Sequence, residues 1–304
     1  NCSTPLPEEI IMKCPLCDSE KKSSFTQVES FGFPLVYYQC EHCGFIFQDA
    51  DESRATDPEF YHDTYRKIYQ VTENPTDKDL WVQEQRAAHL TSILQVYQLS
   101  PPARVLDIGA SAGVLLKTFQ QVFNSEVIGV EPGNAYRAYA ERHEIKMYAS
   151  VQALIEAGLE KFELVSLSHV LEHLADPVGE LRIIREALLA ENGILLIEVP
   201  NFYSHDSYEL AHLACYTPHT LRQVVEHAGF QVFALHRHGV PRSSLLNLYL
   251  TILAYPSTTP NTIKQAKPDR LVSLKRKLGL LYRKVAQKLF PLQAWHKLPE
   301  DKSR

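Results

Sequence analysis

The chain has 304 residues, of which 45% are hydrophobic and 22% charged, and its formal net charge is −5. It contains no apolar run long enough to cross a bilayer, which excludes a protein built on membrane-spanning helices and predicts one large or two unequal globular domains. Residues 1–13 lack the apolar core of a signal peptide, so we expect a cytoplasmic protein.

Charge is unevenly distributed along the chain. Residues 261–304 hold 12 lysine and arginine residues against 3 aspartate and glutamate residues, a net charge of +9, whereas the remainder has a net charge of −14. The two parts of the chain are therefore expected to meet different partners.

Two CxxC pairs stand near the N-terminus, Cys14 with Cys17 and Cys40 with Cys43, and 22 residues separate them. Each pair can form a tight turn that directs two thiolates inward, and four thiolates complete a closed, tetrahedral structural zinc site. The pattern predicts a small zinc-ribbon-like module over residues 1–50. A pair of reduced, metal-free turns is the alternative.

Residues 51–79 form a predicted linker rich in tyrosine, aspartate and proline. Tyr61 and Tyr65 are expected to pack against the core or to close over a cofactor. A helical pattern of apolar residues follows in "DLWVQEQRAAHLTSILQVYQL" and ends before Pro101 and Pro102.

Residues 80–258 alternate between strand and helix patterns. Predicted strands cover 103–108, 126–131, 145–149, 162–167 and 193–199, and predicted helices cover about 113–122, 134–142, 151–157 and 177–190. This alternation predicts a parallel sheet with helices on both faces. Two further runs, 230–236 and 244–252, have no helix between them and are expected to pair as an antiparallel hairpin at the sheet edge.

The stretch "VLDIGASAGVLL" fits two active-site loops. Gly109, Ser111 and Gly113 spell the GxSxG elbow of a hydrolase, but that elbow follows several strands, whereas this stretch follows the first. With Asp107, the stretch is a glycine loop that brings a nucleotide close to the backbone. The Asp107 carboxylate would repel a pyrophosphate and attract the ammonium group of S-adenosylmethionine. Glu131, 24 residues later, can accept hydrogen bonds from both ribose hydroxyls.

These residues, followed by "FELVSLSHVLEHLADP" and "GILLIEVPN", make residues 80–255 resemble a class I S-adenosylmethionine-dependent methyltransferase. The resemblance implies an α/β fold with a Rossmann-like, doubly wound, mostly parallel sheet of seven strands in the order 3-2-1-4-5-7-6, with an antiparallel edge strand. It places S-adenosylmethionine across the ends of strands one to four, with its amino acid end at 107–113, its ribose at Glu131 and its adenine at Ser150 and Val151. The cofactor-binding residues that it implies are Asp107, Gly109, Ala110, Ser111, Gly113, Glu131, Pro132, Ser150, Val151, Ser168, His169 and Val170.

The cysteine module, the tyrosine-rich linker and "IEVPNF" are also similar to sugar-nucleotide C-methyltransferases, which carry a zinc module before the methyltransferase core. Those enzymes have a longer C-terminal domain and paired histidines where "ELAHLACYTP" has only His212. We therefore expect O-methylation of a saccharide, a glycolipid precursor or another small metabolite. One alternative is an RNA methyltransferase that grips nucleic acid with the zinc module and tail, which the acidic body disfavours. The other is a catalytically silent zinc scaffold, which Asp107 and Glu131 disfavour.

Three histidines are candidate catalytic residues: His169, His173 and His212. Methyl transfer needs an acceptor held in line about 3 Å from the methyl group, and a hydroxyl acceptor benefits from a general base. In a helical segment His169, Glu172 and His173 would share one face. Quinone-biosynthetic O-methyltransferases resemble this segment and use its acidic and histidine residues for a divalent metal, although His169 stands where they have an acid. A purely structural role is the alternative for each histidine.

Residues 259–304 form a predicted basic tail. Within 270–290, "RLVSLKRKLGLLYRKVAQKLF" places six apolar residues on one stripe: Leu271, Leu274, Leu278, Leu281, Val285 and Leu289. A basic amphipathic helix of this kind can lie at the periphery of an anionic membrane, on its inner face. It can also contact RNA phosphates or dock on the domain with a solvated basic face. Nucleic acid is the partner we least expect.

Overall fold

The computed structural model describes residues 12–30, 32–48, 74–257 and 266–299. The predicted linker tyrosines Tyr61 and Tyr65 lie outside the described residues, as do both ends of the chain.

The described part of the chain alternates short strands with helices. Its strands are β1 (Lys22–Ser30), β2 (Phe33–Cys40), β3 (Ile46–Gln48), β4 (Arg104–Ile108), β5 (Glu126–Val130), β6 (Lys146–Tyr148), β7 (Phe162–Ser168), β8 (Leu189–Pro200), β9 (Ala214–Cys215), β10 (Phe230–His238) and β11 (Tyr249–Pro256). Its α-helices are α1 (Asp77–Val96), α2 (Val114–Phe123), α3 (Asn134–Arg142), α4 (Val151–Glu156), α5 (Pro177–Ile183), α6 (Pro218–His227), α7 (Val272–Leu289) and α8 (Pro291–Ala294).

Seven strands form one sheet in the order β10-β11-β8-β7-β4-β5-β6. The strands from β8 to β6 run parallel, and β11 runs antiparallel to both β8 and β10. Counted from β4 as the first strand, the order is 3-2-1-4-5-7-6. The predicted fold class is therefore confirmed.

Element boundaries differ from the prediction by four residues or more at two places. The predicted strand 244–252 begins only at Tyr249, because the Ser243 hydroxyl accepts hydrogen bonds from the backbone N–H groups of Leu245 and Leu246 and holds a turn there. The predicted helix 177–190 ends at Ile183, continues as one wide π-helical turn, and gives way to β8 four residues earlier than predicted.

Apolar side chains alternate between the two faces of the sheet, as the strand period requires. Leu106 and Ile197 lie in one core, which is covered by α4, α5, α6 and the cysteine module. Val105 and Leu196 lie in the other, which is covered by α1, α2 and α3. Because both faces are buried, the carboxyl ends of the parallel strands form the open edge at which a ligand can bind.

The cysteine module joins the larger domain through a second sheet, ordered β1-β2-β3-β9. Strand β9 comes from the connection after β8, and its residues Ala214 and Cys215 pair with Phe47 and Ile46. The buried Tyr37 hydroxyl adds a hydrogen bond to the backbone oxygen of His212. The module is thereby packed against the segment that carries one of the predicted catalytic histidines.

Helix α7 docks on the connection after β8 through the face that carries Arg276 and Gly279. Val272 and Arg276 are buried there, whereas Ala286 is buried against Leu246 and Leu248, ahead of β11. The backbone of Gly279 contacts the carbonyl oxygen of Tyr203, which leaves no space for a side chain. The predicted apolar stripe lies on the outward face instead. Within the described ranges, no helix combines the length and apolar character needed to span a bilayer.

Asp269 links four parts of the structure. Its carboxylate accepts hydrogen bonds from the hydroxyls of Tyr203 (2.9 Å) and Thr217 (2.7 Å) and pairs with the Lys275 ammonium at 2.8 Å. Its backbone N–H donates to the carbonyl oxygen of Cys43. Burial raises the pKa of Asp269, but Lys275 and the two hydroxyls outweigh burial and hold it below its usual range.

We predict that Asp269→Ala lowers the free energy of unfolding by about 3 kcal/mol, because it leaves buried donors and a nearby ammonium without an acceptor. Asp269→Asn, which keeps one acceptor oxygen, should lose less. Urea denaturation of both variants measures the effect, with the exposed Asp77→Ala as the control. An Asp269→Ala protein as stable as this control would contradict the prediction.

Candidate active site

The loop between β4 and α2 is shaped by two glycines. Gly109 and Gly113 both have φ of +77°, in the left-handed region that favours glycine. A Cβ at Gly113 would lie 2.5 Å from the Ile145 side chain, and one at Gly109 would clash with Val170. The backbone therefore lies directly over the ends of the strands, where a nucleoside can approach it.

Asp107 lies at this loop and is almost completely buried. The Ser166 hydroxyl donates a hydrogen bond of 2.6 Å to its carboxylate. Burial, and to a smaller extent the negative charge of Glu131, raise the pKa of Asp107 to about 7 although Ser166 lowers it. A cationic group bound nearby would favour the ionised form, as expected for the ammonium end of S-adenosylmethionine.

Glu131 follows β5 and has a fixed position at the end of that strand. Its two carboxylate oxygens accept hydrogen bonds from the backbone N–H groups of Ser111 (3.0 Å) and Gly133 (2.6 Å). Pro132 lies between Glu131 and Gly133. Ala110 of the glycine loop is buried, and its N–H donates to the carbonyl oxygen of Val130. The predicted loop residues and the predicted ribose acceptor are therefore in direct contact.

Ser150 and Val151 begin α4, at the end of β6. The Ser150 hydroxyl accepts a hydrogen bond from the N–H of Ala153 and thus caps the helix. Both residues lie at the same sheet edge as Glu131. Their contact with adenine stays a prediction.

His169 follows β7 and lies between two buried carboxylates. Its Nδ1 is 3.2 Å from an oxygen of Glu172 and its Nε2 is 3.2 Å from an oxygen of Glu198. Burial and the charge of Arg86 lower the pKa of His169, but the two carboxylates outweigh them and raise it above its ordinary value. With a carboxylate oxygen 3.2 Å from each ring nitrogen, both nitrogens face acceptors, so this geometry favours an electrostatic role over proton abstraction.

Glu198, at the end of β8, is fully buried and surrounded by cationic and polar groups. Arg86 of α1 approaches it to 2.6 Å and His238 of β10 to 3.4 Å, and the Ser168 hydroxyl donates a hydrogen bond of 3.3 Å. Burial raises the pKa of Glu198, but Arg86, His169 and His238 hold it well below its usual range.

A second group of side chains lies on the other side of His169. Ligand atoms of Glu172, His173 and His212 all lie within 4.8 Å of one another, a spacing at which they could hold a metal ion. Nδ1 of His173 lies 2.8 Å from the Ala211 carbonyl oxygen and Nδ1 of His212 lies 3.2 Å from that of Ser207. Carbonyls accept hydrogen bonds only, so each Nδ1 carries the proton and each Nε2 keeps a lone pair.

The charge states of these groups differ. Burial is the largest influence on His173 and His212 and lowers the pKa of both. Burial raises the pKa of Glu172, but the neighbouring histidines outweigh it and lower the value to about 2. At neutral pH the two histidines are therefore neutral beside an ionised carboxylate.

The four cysteines of the N-terminal module form a compact cluster. The Sγ atoms of Cys14 and Cys43 lie 3.6 Å apart, as do those of Cys17 and Cys40, and all four lie within 4.8 Å of one another. These thiols are not joined as disulfides. A zinc ion with bonds of about 2.3 Å to four sulfurs gives sulfur-to-sulfur distances of roughly 3.8 Å, so the cluster fits that ion.

The family described as "Methyltransferase domain" matches residues 82–235, about half of the chain. The chain belongs to this family. The domain covers the sheet from α1 into β10 and contains the glycine loop, Asp107 and Glu131. The predicted class I S-adenosylmethionine-dependent methyltransferase domain is thereby confirmed.

Curated relatives of the methyltransferase domain include ubiquinone biosynthesis O-methyltransferases. That of Cereibacter sphaeroides is 30% identical over 147 residues, which are 46% of this chain and 57% of the relative. That of Pseudomonas fluorescens is 33% identical over 86 residues, 26% of this chain and 37% of the relative. The chain therefore spans 57% of the length of the first of these relatives and 37% of the second.

A solved methyltransferase has the same fold. The 1,6-didemethyltoxoflavin-N1-methyltransferase of Burkholderia thailandensis, solved with bound 1,6-didemethyltoxoflavin and S-adenosylhomocysteine, has a TM-score of 0.51 and 21% identity, and the match covers 70% of this chain and 96% of that protein. At this identity the match supports the fold alone. The similarity to sugar-nucleotide C-methyltransferases stays a prediction.

Three important residues of the methyltransferase domain were not predicted: Arg86, Glu198 and His238. Arg86 and His238 stand in a helix and an edge strand with nothing in their local sequence to single them out. Glu198 did give a signal, since an acid within the apolar run "ILLIEVP" is unusual in a buried parallel strand.

We predict that Glu131→Ala weakens the binding of S-adenosylhomocysteine about tenfold or more, because charge-assisted hydrogen bonds to the ribose are lost. Isothermal titration measures the dissociation constant. The matched control is Glu126→Ala, since Glu126 stands at the opposite, exposed end of the same strand. An unchanged constant would remove Glu131 from the cofactor site.

Proposed function

We propose that this protein transfers the methyl group of S-adenosylmethionine to a hydroxyl oxygen of a saccharide, a glycolipid precursor or another small metabolite. The observation that carries the proposal is the buried polar cluster at the ends of β7 and β8, next to the glycine loop. When S-adenosylmethionine is bound across the ends of the strands, it supplies an electrophilic methyl group on a sulfonium.

Several atoms of this cluster have no well-aligned partner. Among the described residues, buried atoms without a hydrogen bond include both oxygens of Glu172, Oε2 of Glu198, Nδ1 of His205, Nδ1 of His238 and Nε2 of His89. Buried polar groups are normally satisfied, so these atoms point to a bound ligand. A hydroxyl can donate to a carboxylate and accept from a histidine, so an acceptor with several hydroxyls suits this mixture of donors and acceptors.

His212 is our choice of general base. Its Nδ1 is held by Ser207, which leaves the Nε2 lone pair for the hydroxyl proton of the acceptor. The lowered pKa keeps His212 neutral before the reaction, and the Glu172 carboxylate stabilises the imidazolium ion formed. His173 has the same protonation pattern and is the second choice. His169, between two carboxylates, orients the acceptor and does not accept its proton.

A divalent cation held by Glu172, His173 and His212 is the alternative use of the same group. The cation would bind the acceptor oxygen and lower the pKa of the acceptor hydroxyl, so that a histidine base would not be needed. Dependence on an added divalent cation after chelation distinguishes this alternative from proton transfer to His212.

We also propose that the four clustered cysteines hold a structural zinc ion. Four thiolates leave no coordination position open, so the ion would contribute to stability and not to the reaction. The docking of the module against the connection after β8 gives this ion an indirect effect on the acceptor site.

The first test follows a labelled methyl group from S-adenosylmethionine into an extract of the source cells, which is then separated into RNA, protein and small-molecule or saccharide fractions. We predict label in the last fraction, abolished by Asp107→Ala and retained in Glu126→Ala. Once the acceptor is known, His212→Ala should lower the rate about a hundredfold while the dissociation constant for S-adenosylhomocysteine stays the same.

Label in RNA would indicate that the zinc module and tail bind a nucleic-acid substrate, and it would overturn this proposal. Transfer to no fraction, together with no binding of S-adenosylhomocysteine, would favour a scaffold. A His212→Ala enzyme with unchanged rate would assign the base elsewhere.

Elemental analysis of the purified chain should give about one zinc ion per chain, as expected for a four-cysteine site. We predict that Cys43→Ser loses this zinc. Cys215→Ser is the matched control, because Cys215 is a buried thiol outside the cluster. Zinc retained by the Cys43→Ser protein would show that the cluster is not the site.

A further inference from the structure

We propose that the outward face of α7 binds the surface of an anionic lipid bilayer. The helix is anchored to the domain by one side, while a continuous apolar stripe on another side has no described neighbour that buries it. The proposal concerns a surface outside the methyl-transfer site and does not depend on the identity of the acceptor.

The stripe is large and continuous. Its side chains are exposed by 47% to 68% of their surface, although all of them are leucine or valine: Leu271, Leu274, Leu278, Leu281, Val285 and Leu289. Tyr282 and Phe290 extend it at 54% and 53% exposure, and Leu292 of α8 at 70%. A helix of 18 residues is about 27 Å long, so the stripe forms one extended line along the surface. Monomeric proteins rarely leave such an apolar surface in water without a binding function.

The docked side explains why the stripe faces outward. Arg276 donates hydrogen bonds to the carbonyl oxygens of Phe202 and His205, and Arg283 donates to that of Ser204. Gly279 contacts Tyr203 through its backbone. Helix α7 is thus fixed by arginine and glycine contacts, the reverse of the usual arrangement in which an amphipathic helix buries its leucines.

Charge identifies an anionic bilayer as the occupant. Lys277, Lys284 and Lys288 are exposed and follow one border of the stripe, whereas Lys275 is paired with Asp269. Lysines beside leucines on the same exposed face are the pattern of helices that lie in the membrane interface. Since residues 1–260 carry a net charge of −14, an anionic surface would attract this face and repel the body, which fixes one orientation.

The contact between α7 and the loop after β8 relates the membrane face to the reaction. This step rests on the proposed function. Phe202–His205 is the segment held by α7, and His205 contributes one of the unpartnered buried atoms of the acceptor cluster. A bilayer bound to the outward face would lie one helix diameter, roughly 10 Å, from the loop that borders the proposed acceptor site, which is within reach of a lipid-linked saccharide.

The test compares co-sedimentation of the full chain with two kinds of vesicle, phosphatidylcholine alone and phosphatidylcholine with an equal part of phosphatidylglycerol. We expect binding to the anionic vesicles only, and weaker binding at high salt. The double variant Leu278→Glu, Leu281→Glu should lose at least about tenfold in vesicle affinity. Its control is Val96→Glu, Val122→Glu, which changes two apolar residues on other helices that are exposed by 72% and 45% and should bind as the unmodified chain does.

Three results would overturn the proposal: no binding of the unmodified chain to anionic vesicles, equal binding by the Leu278→Glu, Leu281→Glu variant, or a concentration-dependent dimer that this variant abolishes. The dimer would assign the stripe to a second copy of the chain. All variants should keep the same dissociation constant for S-adenosylhomocysteine, so failure here is separate from failure of the proposed function.

Discussion

The end of the sheet where we propose that the acceptor binds depends on the burial of the Glu198 carboxylate. A buried charge is costly unless cations and donors surround it, and here Arg86, His169 and His238 reach Glu198 from α1, from the end of β7 and from β10. One carboxylate therefore fixes a helix, a strand end and an edge strand around the end of β8. The same requirement gathers the polar atoms of these residues at the end of β8, where we propose that the acceptor binds.

Sequence patterns predicted which residues meet at the glycine loop better than they predicted the polar cluster around Glu198. Asp107, Gly109, Gly113 and Glu131 belong to two adjacent strand ends, so short spacings were enough to bring them together. The acceptor cluster joins residues up to 152 positions apart, as with Arg86 and His238, and no local pattern reports such a contact. The direction in which α7 docks was also beyond prediction, because a leucine stripe normally indicates the buried side.

The cysteine module supports the segment that carries His212, one of the proposed acceptor-site residues. Through β9 and Tyr37 it holds the segment that carries His212, and through Asp269 it contacts the start of α7 and the cap of α6. Elements on three sides of the connection after β8 therefore share one hydrogen-bonded network. Its rigidity suits a reaction in which alignment of acceptor and methyl group provides much of the rate enhancement.

The backbone of His169 adds a constraint of a different kind. Its φ of +57° lies in the left-handed region, which is unfavourable for most side chains and best tolerated by glycine, asparagine, aspartate and histidine itself. Its N–H still donates to the carbonyl oxygen of Glu198, so the chain turns sharply without losing its last bond to β8. A replacement at this position therefore changes both the energy of the backbone turn and the chemistry of the side chain. A β-branched residue would strain the turn whatever its side chain could do. Asparagine, which accepts the turn, isolates the contribution of the imidazole ring.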